Sequence, residues 1–295
     1  LASSTQSQFS KNYKSYVKPK GTSQIEVEPA KIKAADGVLA NYLAQKSSTN
    51  QFVHYSKKDL IQSLMIRIRK PAGLNQSTLN LCGPAAFAVN WIERDPAGYV
   101  KTMIDVFETG KGKYKKVTLK ADPAMWQQKV KQVYIKKTKQ WKDQELADWL
   151  TISALQGGSG LFGYDPNNEV FGLRGITTPG AMLKWFKSLS TKKIKQYAGD
   201  KDLSPSQLNA LYKKKNSLNI LVESNTLFMD QPRTASGIVA LTGDHYVMLN
   251  SLIGTVTKGG KPLLEIDLWT WGGNFRSTLT KAQFRATVKH TYVIP

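Results

Sequence analysis

The chain has 295 residues, which is long enough for one large domain or two smaller ones with an ample core. Its formal net charge is +21, mostly from lysine, and this excess indicates nonspecific attraction to an anionic partner rather than arginine-based reading of nucleic acid. No run of eighteen apolar residues occurs, so the sequence predicts no membrane span.

The N-terminal segment is polar. Residues 1 to about 25 are rich in Ser, Thr, Gln and Lys, which predicts a mobile arm or linker, and no signal peptide is visible. Apolar residues at helical spacing predict short helices over 32–43 and 60–68. We therefore divide the chain into an arm and short helix, 1–50, and a main domain, 51–295.

A buried helix is predicted to begin at Cys82, the only cysteine of the chain. Pro84 suits the first helical turn, and small apolar residues continue the helix to about residue 92. The sulfur then lies at the positive end of the helix dipole, which favours the thiolate. A lone cysteine is more often an inert buried residue, so this helix alone does not establish catalysis.

The middle of the chain combines lysines with aromatic residues, notably over 111–142. Such a pattern can bind single-stranded nucleic acid, but we interpret it as an amphipathic helical insertion, extending over about 111–215. Further helices are predicted over 97–109, 143–155 and 181–186, and another is predicted from Ser204. The glycine-rich segment 157–160 lacks the signature of a phosphate loop and predicts a flexible loop that lines a cleft.

The hydrophobic period changes to that of strands after residue 217. Strands are predicted over 218–223, 244–249, 263–269 and 292–294, with a turn at 258–261. A helical half followed by an antiparallel sheet predicts an α+β fold.

Three further residues accompany Cys82 in a pattern suited to thiol chemistry. His245 begins the second strand, and hairpin-like pairing with the third strand is expected to bring Asp267 beside it. Gln76, six residues before Cys82, has an amide that can donate to a developing oxyanion. A buried structural histidine is the competing interpretation, but the four residues together meet the requirements of a nucleophilic cysteine.

The Gln76-to-Cys82 spacing, the Cys-Gly-Pro-Ala-Ala start of the helix, the His-Tyr-Val strand and the Asp-Leu-Trp-Thr-Trp-Gly-Gly segment resemble papain-fold cysteine peptidases. The closer likeness is to the bacterial C39-like branch. The resemblance implies a papain-like hydrolase fold, with the nucleophile helix packed on the sheet and with neither a metal nor a cofactor. The implied roles are nucleophile for Cys82, base for His245, orienting acid for Asp267 and oxyanion donor for Gln76.

The resemblance implies cleavage of a peptide or amide bond in a protein or peptide substrate. The basic charge and loose N-terminal arm are similar to those of bacterial toxin domains, so we expect a secreted or delivered effector with an immunity or inhibitor protein. A deamidase or acyltransferase would use the same residues. A nonenzymatic alternative docks the basic region 111–142 on an anionic membrane or, less favoured, on nucleic acid; a third is an inactive papain fold used as a scaffold.

Overall fold

The computed structural model describes most of the chain between residues 25 and 295. The predicted arm at residues 1 to about 25 lies almost wholly outside the described residues. These are 25–46, 50–76, 81–130, 132–135, 140–159, 177–198, 203–223, 245–270 and 273–295.

Many of the helices begin at a residue whose side chain caps them. Ser204, where the sequence predicted the start of a helix, accepts a hydrogen bond from the backbone N–H of Gln207, and Thr178 accepts one from that of Ala181. The helices are α1 (Pro29–Ala44), α2 (Lys57–Arg69), α3 (Cys82–Arg94), α4 (Pro96–Thr109), α5 (Leu146–Gly158), α6 (Pro179–Phe186), α7 (Pro205–Lys213) and α8 (Lys281–Thr287), with 3₁₀ turns at Pro71–Gly73 and Pro123–Gln127.

The strands form one large antiparallel sheet and two small hairpins. They are β1 (Lys111–Tyr114), β2 (Val117–Lys120), β3 (Gln132–Ile135), β4 (Gln140–Asp143), β5 (Lys195–Ala198), β6 (Ser217–Val222), β7 (His245–Leu249), β8 (Gly254–Lys258), β9 (Lys261–Thr270), β10 (Gly273–Leu279) and β11 (Val288–Ile294). The large sheet has the order β10–β9–β7–β6–β11–β5, and β8 pairs with β9. The hairpins are β1–β2 and β3–β4.

Helices cover both faces of the large sheet. Tyr246 and Met248 belong to the main core, together with residues of α1 to α6. Val247 and Leu249, which alternate with them along β7, join a smaller core that includes residues of α7 and α8. Because α3 is enclosed by this main core, its residues from 83 to 92 are all buried.

The predicted α+β organisation is confirmed. Every strand of the large sheet follows α6 in the chain, and α3 packs on β7 of that sheet. Helix α1 buries Ala35, Leu39 and Tyr42 in the main core. The proposed domain division at residue 50 stays a prediction.

The helical interpretation of residues 111–142 is wrong. The structure has the hairpins β1–β2 and β3–β4 there, separated by a 3₁₀ turn. In β2, Val117 and Leu119 are buried and Thr118 and Lys120 are exposed, which is the two-residue period of a strand. In the β1–β2 hairpin, lysines such as Lys113 and Lys120 therefore alternate with buried residues instead of occupying one face of a helix.

The segment predicted as a glycine-rich flexible loop also differs, because Gly157 and Gly158 belong to the last turn of α5. A Cβ atom on Gly157 would lie 2.2 Å from the carbonyl oxygen of Lys120, and one on Gly158 would lie 1.9 Å from that of Thr118. The missing side chains therefore allow α5 to pack directly on the backbone of β2. Residue 160 lies outside the described residues.

Among the residues that the structure describes, no helix combines the length and apolar character needed to cross a lipid bilayer.

Candidate active site

Cys82 is the first residue of α3 and is partly exposed. The preceding residue, Leu81, is buried and apolar, so its side chain does not cap the first-turn N–H groups. These groups carry the positive end of the helix dipole, which lies next to the sulfur. Such a position favours the thiolate, the form in which cysteine is a nucleophile.

Helix α3 runs along β7 in the direction of that strand. Near its C-terminal half, Asn90 contacts the Met248 sulfur at 3.5 Å and the side chain of Asn219 on β6 at 3.0 Å. Its last residue, Arg94, donates to the hydroxyl of Ser217 at 3.1 Å. The N-terminal end of α3 must therefore lie toward the beginning of β7, where His245 is located.

Thr177 connects the beginning of α3 with the beginning of β7. Its side chain packs so closely on Gly83 that a Cβ there would approach it to 2.5 Å. Its carbonyl oxygen accepts a hydrogen bond from the Tyr246 hydroxyl at 3.2 Å. Burial raises the pKa of Tyr246, and the nearby Tyr292 and Cys82 raise it further. These contacts place Cys82 close to Tyr246, which faces the main core. His245 alternates with Tyr246 along β7, and its cross-strand partner Val222 belongs to the smaller core on the other face of the sheet.

His245 is buried and its ring is held by Thr270, the last residue of β9. The contact joins Nε2 of the imidazole to the threonine hydroxyl oxygen. Burial lowers the pKa of His245 from its ordinary value of 6.5 to about 3, so the imidazole is neutral at physiological pH. When the hydroxyl accepts from Nε2–H, Nδ1 carries the lone pair that a general base requires.

The prediction that Asp267 orients His245 is wrong. The backbone N–H of Asn250 donates to the carbonyl oxygen of Asp267 at 2.9 Å, so Asp267 lies opposite a residue five positions beyond His245. Five strand residues correspond to about 17 Å. The Asp267 carboxylate instead accepts from Arg276 at 2.7 and 2.9 Å and from Ser251 at 3.2 Å, and hydrogen bonds from Arg276 hold its pKa below the ordinary value.

Gln76 is buried, and the residue before it is fixed at both backbone atoms. The N–H of Asn75 donates to the Asp148 carboxylate at 2.9 Å, and its carbonyl oxygen accepts from the Gln144 side chain at 2.5 Å. Asp148 also pairs with Arg67, whose Nη2 donates to it at 2.8 Å. Burial raises the pKa of Asp148 to about 6, against the attraction of Arg67, so the carboxylate is charged at neutral pH. This buried pair thus supports the start of the segment between Gln76 and Cys82.

Two residues near the site were missed by sequence reasoning. Thr270 followed a tryptophan in a strand and had no charge to single it out. Gln156 lies in the apolar helix α5, is buried, and accepts from the Thr177 hydroxyl at 3.3 Å. A polar residue inside an apolar helix pattern was the only available signal for Gln156.

No protein-family model matches the chain, and a search of curated proteins finds no significant match. Within the described part of the chain, no group of three or more His, Cys, Asp and Glu side chains could hold a metal ion.

Proposed function

We propose that the chain is a papain-like cysteine hydrolase that cleaves a peptide or amide bond. The observation that carries the proposal is the course of α3, whose Cys82 end lies toward the His245 end of β7. A partly exposed thiol at a helix N-terminus and a neutral, hydrogen-bonded imidazole are the two parts that nucleophilic thiol catalysis requires. The resemblance of the cysteine and histidine motifs to those of the C39-like branch adds to this support.

In the proposed reaction, the sulfur of Cys82 attacks the substrate carbonyl carbon to form a C–S bond while its proton passes to His245. The backbone N–H of Cys82 and the amide of Gln76 stabilise the resulting oxyanion. The C–N bond then breaks, and the leaving amine takes the proton from the imidazolium. Water hydrolyses the thioester to a carboxylic acid and restores the thiol. Thr270 holds the imidazole in the required tautomer.

A deamidase or acyltransferase would use the same first step. A deamidase would release ammonia from a side-chain amide, whereas an acyltransferase would resolve the thioester with an acceptor other than water. We propose a secreted or delivered bacterial effector as the biological setting, by analogy with basic toxin domains, and a cognate immunity protein as its partner. The hydrolase, deamidase and acyltransferase alternatives differ in the bond attacked or in the acceptor, and all three use Cys82 as the nucleophile.

A specific surface supports a second candidate function, the binding of an anionic surface. A groove of about 400 Å³ is lined by Lys115, Lys116, Lys184 and Lys187, from the β1–β2 turn and from α6 and the residue that follows it. Lys115 is positioned there by a 2.8 Å hydrogen bond from its ammonium group to the carbonyl oxygen of Ser188. No ion pair among the described residues includes these four lysines. Their charge is therefore available to phosphate or carboxylate groups, with a strong dependence on salt.

The test compares expression of the chain, of Cys82→Ala and of Lys184→Gln/Lys187→Gln in a bacterial host, directed to the cytoplasm and to the periplasm. We expect toxicity that is lost in Cys82→Ala and retained in the lysine variant. Toxicity in the periplasm would indicate a cell-wall amide bond, and toxicity in the cytoplasm a protein target. Toxicity that survives Cys82→Ala and disappears in the lysine variant would contradict the hydrolase proposal.

A further inference from the structure

A separate cavity lies at the end of α3 opposite Cys82. Its volume is about 540 Å³. This is within the range of about 300–1,000 Å³ that is common for small-molecule pockets. Residues of α3, α7, β6 and β7 contribute to its walls, as do Ile25 and Glu26 before α1. It is therefore remote from the proposed catalytic residues, and its function can be separated from theirs.

Glu93, in the last turn of α3, contributes a carboxyl group to this cavity. Among the described residues, no ion pair or hydrogen bond satisfies this group. The adjacent Arg94 is directed elsewhere: its guanidinium donates to the carbonyl oxygens of Ile294 and Pro295 at 3.0 and 2.6 Å. The C-terminal end of α3 adds the negative end of the helix dipole to the same region. The α3 side of the cavity is therefore its negative wall.

Tyr212 adds a second polar group without a partner. Its ring lines the cavity, and its buried hydroxyl has no hydrogen-bond partner among the described residues. Burial, with further contributions from the charges of Asp267 and Glu93, raises the pKa of Tyr212 to about 12, so the hydroxyl is protonated at neutral pH and can both donate and accept. Because the hydroxyl oxygen is fully buried, the part of Tyr212 that the cavity exposes is its ring and not its hydroxyl.

The remaining walls are mostly apolar. They include Leu218, Met248 and Leu249, and Leu252 is unusually exposed for a large apolar residue, at 43%. A ligand with an apolar body would replace water at these side chains. An apolar wall with a small number of converging polar groups is the usual composition of a small-molecule site.

We propose that this cavity binds a small organic cation, an ammonium group on an apolar body, with Glu93 as its counter-ion and the Tyr212 ring as part of its apolar wall. Lys213 and Lys215 also line the cavity, but both are exposed and hold their charges at its mouth in water. The carboxyl group of Glu93 is the less exposed charge, so the sign of the bound ligand follows from it. This proposal is independent of the proposed catalysis at Cys82.

The charge of Glu93 makes the proposed binding depend on pH. Burial raises the pKa of Glu93 to about 7, against the attraction of Arg94 and Lys31. A bound ammonium ion favours the carboxylate, so affinity should rise as pH increases through 7 and level off above it. The other charged or titratable groups around the cavity are Glu26, Tyr212, Lys213 and Lys215, with Asp267 near Tyr212.

The probe is cyclohexylmethylammonium, whose alkylammonium group stays charged between pH 6 and pH 8 as a lysine side chain does. Its binding is followed through the methyl NMR signals of Leu218, Met248, Leu249 and Leu252. We expect saturable shifts at these methyl groups and a roughly tenfold gain in affinity from pH 6 to pH 8, the ratio of ionised Glu93 at the two values. Cyclohexylmethanol and cyclohexanecarboxylate, of similar shape, should bind more weakly.

Variants separate this account from a nonspecific apolar pocket. Glu93→Gln should lose both the affinity for the ammonium ion and its pH dependence, whereas Glu28→Gln, the same change at an exposed carboxylate, should retain both. Tyr212→Phe removes only the buried hydroxyl and keeps the ring, so it should fold normally and retain both the affinity and its pH dependence. The proposal would be overturned if the alcohol bound as tightly as the ammonium ion or if the carboxylate bound more tightly. It would also be overturned if the probe did not bind at millimolar concentration or if Glu93→Gln left its affinity unchanged. Cys82→Ala should bind the probe as the unsubstituted chain does.

Discussion

The ring nitrogen Nε2 of His245 contacts the hydroxyl oxygen of Thr270, 25 residues further along the chain and on the neighbouring strand. This contact fixes one side of a buried imidazole. It also assigns the orienting role to a neutral hydroxyl instead of the carboxylate of Asp267. The proposed site is therefore a Cys82–His245–Thr270 arrangement, and several outcomes distinguish it from a Cys–His–Asp triad.

Removal of the Thr270 hydroxyl should release the His245 imidazole from its fixed tautomer without unfolding the chain. In Thr270→Val, the ring loses the partner that fixes its tautomer, so we expect thiol reactivity at pH 7 to fall by roughly ten- to a hundredfold. Thr270→Ser keeps the hydroxyl and should retain most of the reactivity. The measurement is the rate of alkylation of Cys82 by iodoacetamide, and equal rates in all three proteins would contradict a role for Thr270.

Asp267→Asn should leave the reactivity of Cys82 unchanged. Asp267 pairs with Arg276 on the sheet surface, where the two side chains are 26% and 61% exposed, so the loss of stability should be small. The same alkylation assay, with urea unfolding as the stability measurement, tests this. A strong loss of Cys82 reactivity in a folded Asp267→Asn variant would contradict this account and support a Cys–His–Asp triad.

Acidification should remove stability that depends on His245. Its folded pKa lies far below the ordinary value, so an unfolded chain takes up a proton that the folded chain excludes. This contribution is complete above about pH 6.5 and is lost as pH falls toward 3. Relative to His245→Gln, the unfolding free energy of the chain should fall by about 2 kcal/mol between pH 7 and pH 5. A difference that is independent of pH would show that His245 is not buried in its neutral form.

The buried Arg67–Asp148 pair should be sensitive to the loss of one partner. Arg67→Met leaves a carboxylate buried without its counter-ion, which should cost about 3–5 kcal/mol of unfolding free energy. Arg67→Met/Asp148→Asn removes the stranded charge and keeps an acceptor for the Asn75 N–H, so it should recover most of this loss. Urea denaturation of the three proteins tests the prediction, which fails if the double variant is less stable than the single one.

Gly158→Ala should destabilise the junction between α5 and β2. Its Cβ would lie 1.9 Å from the carbonyl oxygen of Thr118, so backbone must move, at a cost of about 1–3 kcal/mol. Gly180→Ala, in the first turn of α6, is the control because no atom lies within 4 Å of its Cβ position. That change should alter thermal stability by about 0.5 kcal/mol or less. Similar effects of the two variants would contradict the close packing at Gly158.

The helix at Cys82 and the strand at His245 could be predicted because each depends on local sequence. Pro84 and the apolar residues after it specify a buried helix. All five residues of β7 are buried because both faces of the sheet are covered, so this strand is recognised by a continuous apolar run and not by alternation. Local patterns of this kind survive in the fold, since tertiary contacts reinforce them.

The partner of His245 could not be predicted because it depends on strand register. The sequence predicted a hairpin-like pair from the second and third strands, but β8 lies between them and takes the hairpin position, with Lys258 opposite Lys261. Of the ten residues of β9, only those at its far end pair with β7, where Met248 is opposite Trp269. Antiparallel pairing then brings His245 toward Thr270 and away from Asp267.

The lysine-rich region was assigned the wrong secondary structure for a related reason. Lysine is compatible with both helices and exposed strand positions, so its abundance over 111–142 does not indicate a period. The spacing of the apolar residues distinguishes a helix from a strand, and in β2 buried apolar residues alternate with exposed polar ones. The groove formed with Lys184 and Lys187 depends on a tertiary contact between the hairpin turn and the residues after α6, the hydrogen bond from Lys115 to Ser188, which no local pattern reveals.

The most direct test of the central claim is the pH dependence of Cys82 alkylation by iodoacetamide, compared among the folded chain, the chain in urea and folded His245→Ala. Because Cys82 is the only cysteine, every modified sulfur reports on the proposed nucleophile. An activated thiolate predicts rapid alkylation of the folded chain near pH 6, well below the ordinary cysteine pKa of about 8.5 seen in urea, and a loss of this rate in His245→Ala. Alkylation of the folded chain that is slower than in urea at every pH would contradict the claim and identify Cys82 as a structural residue.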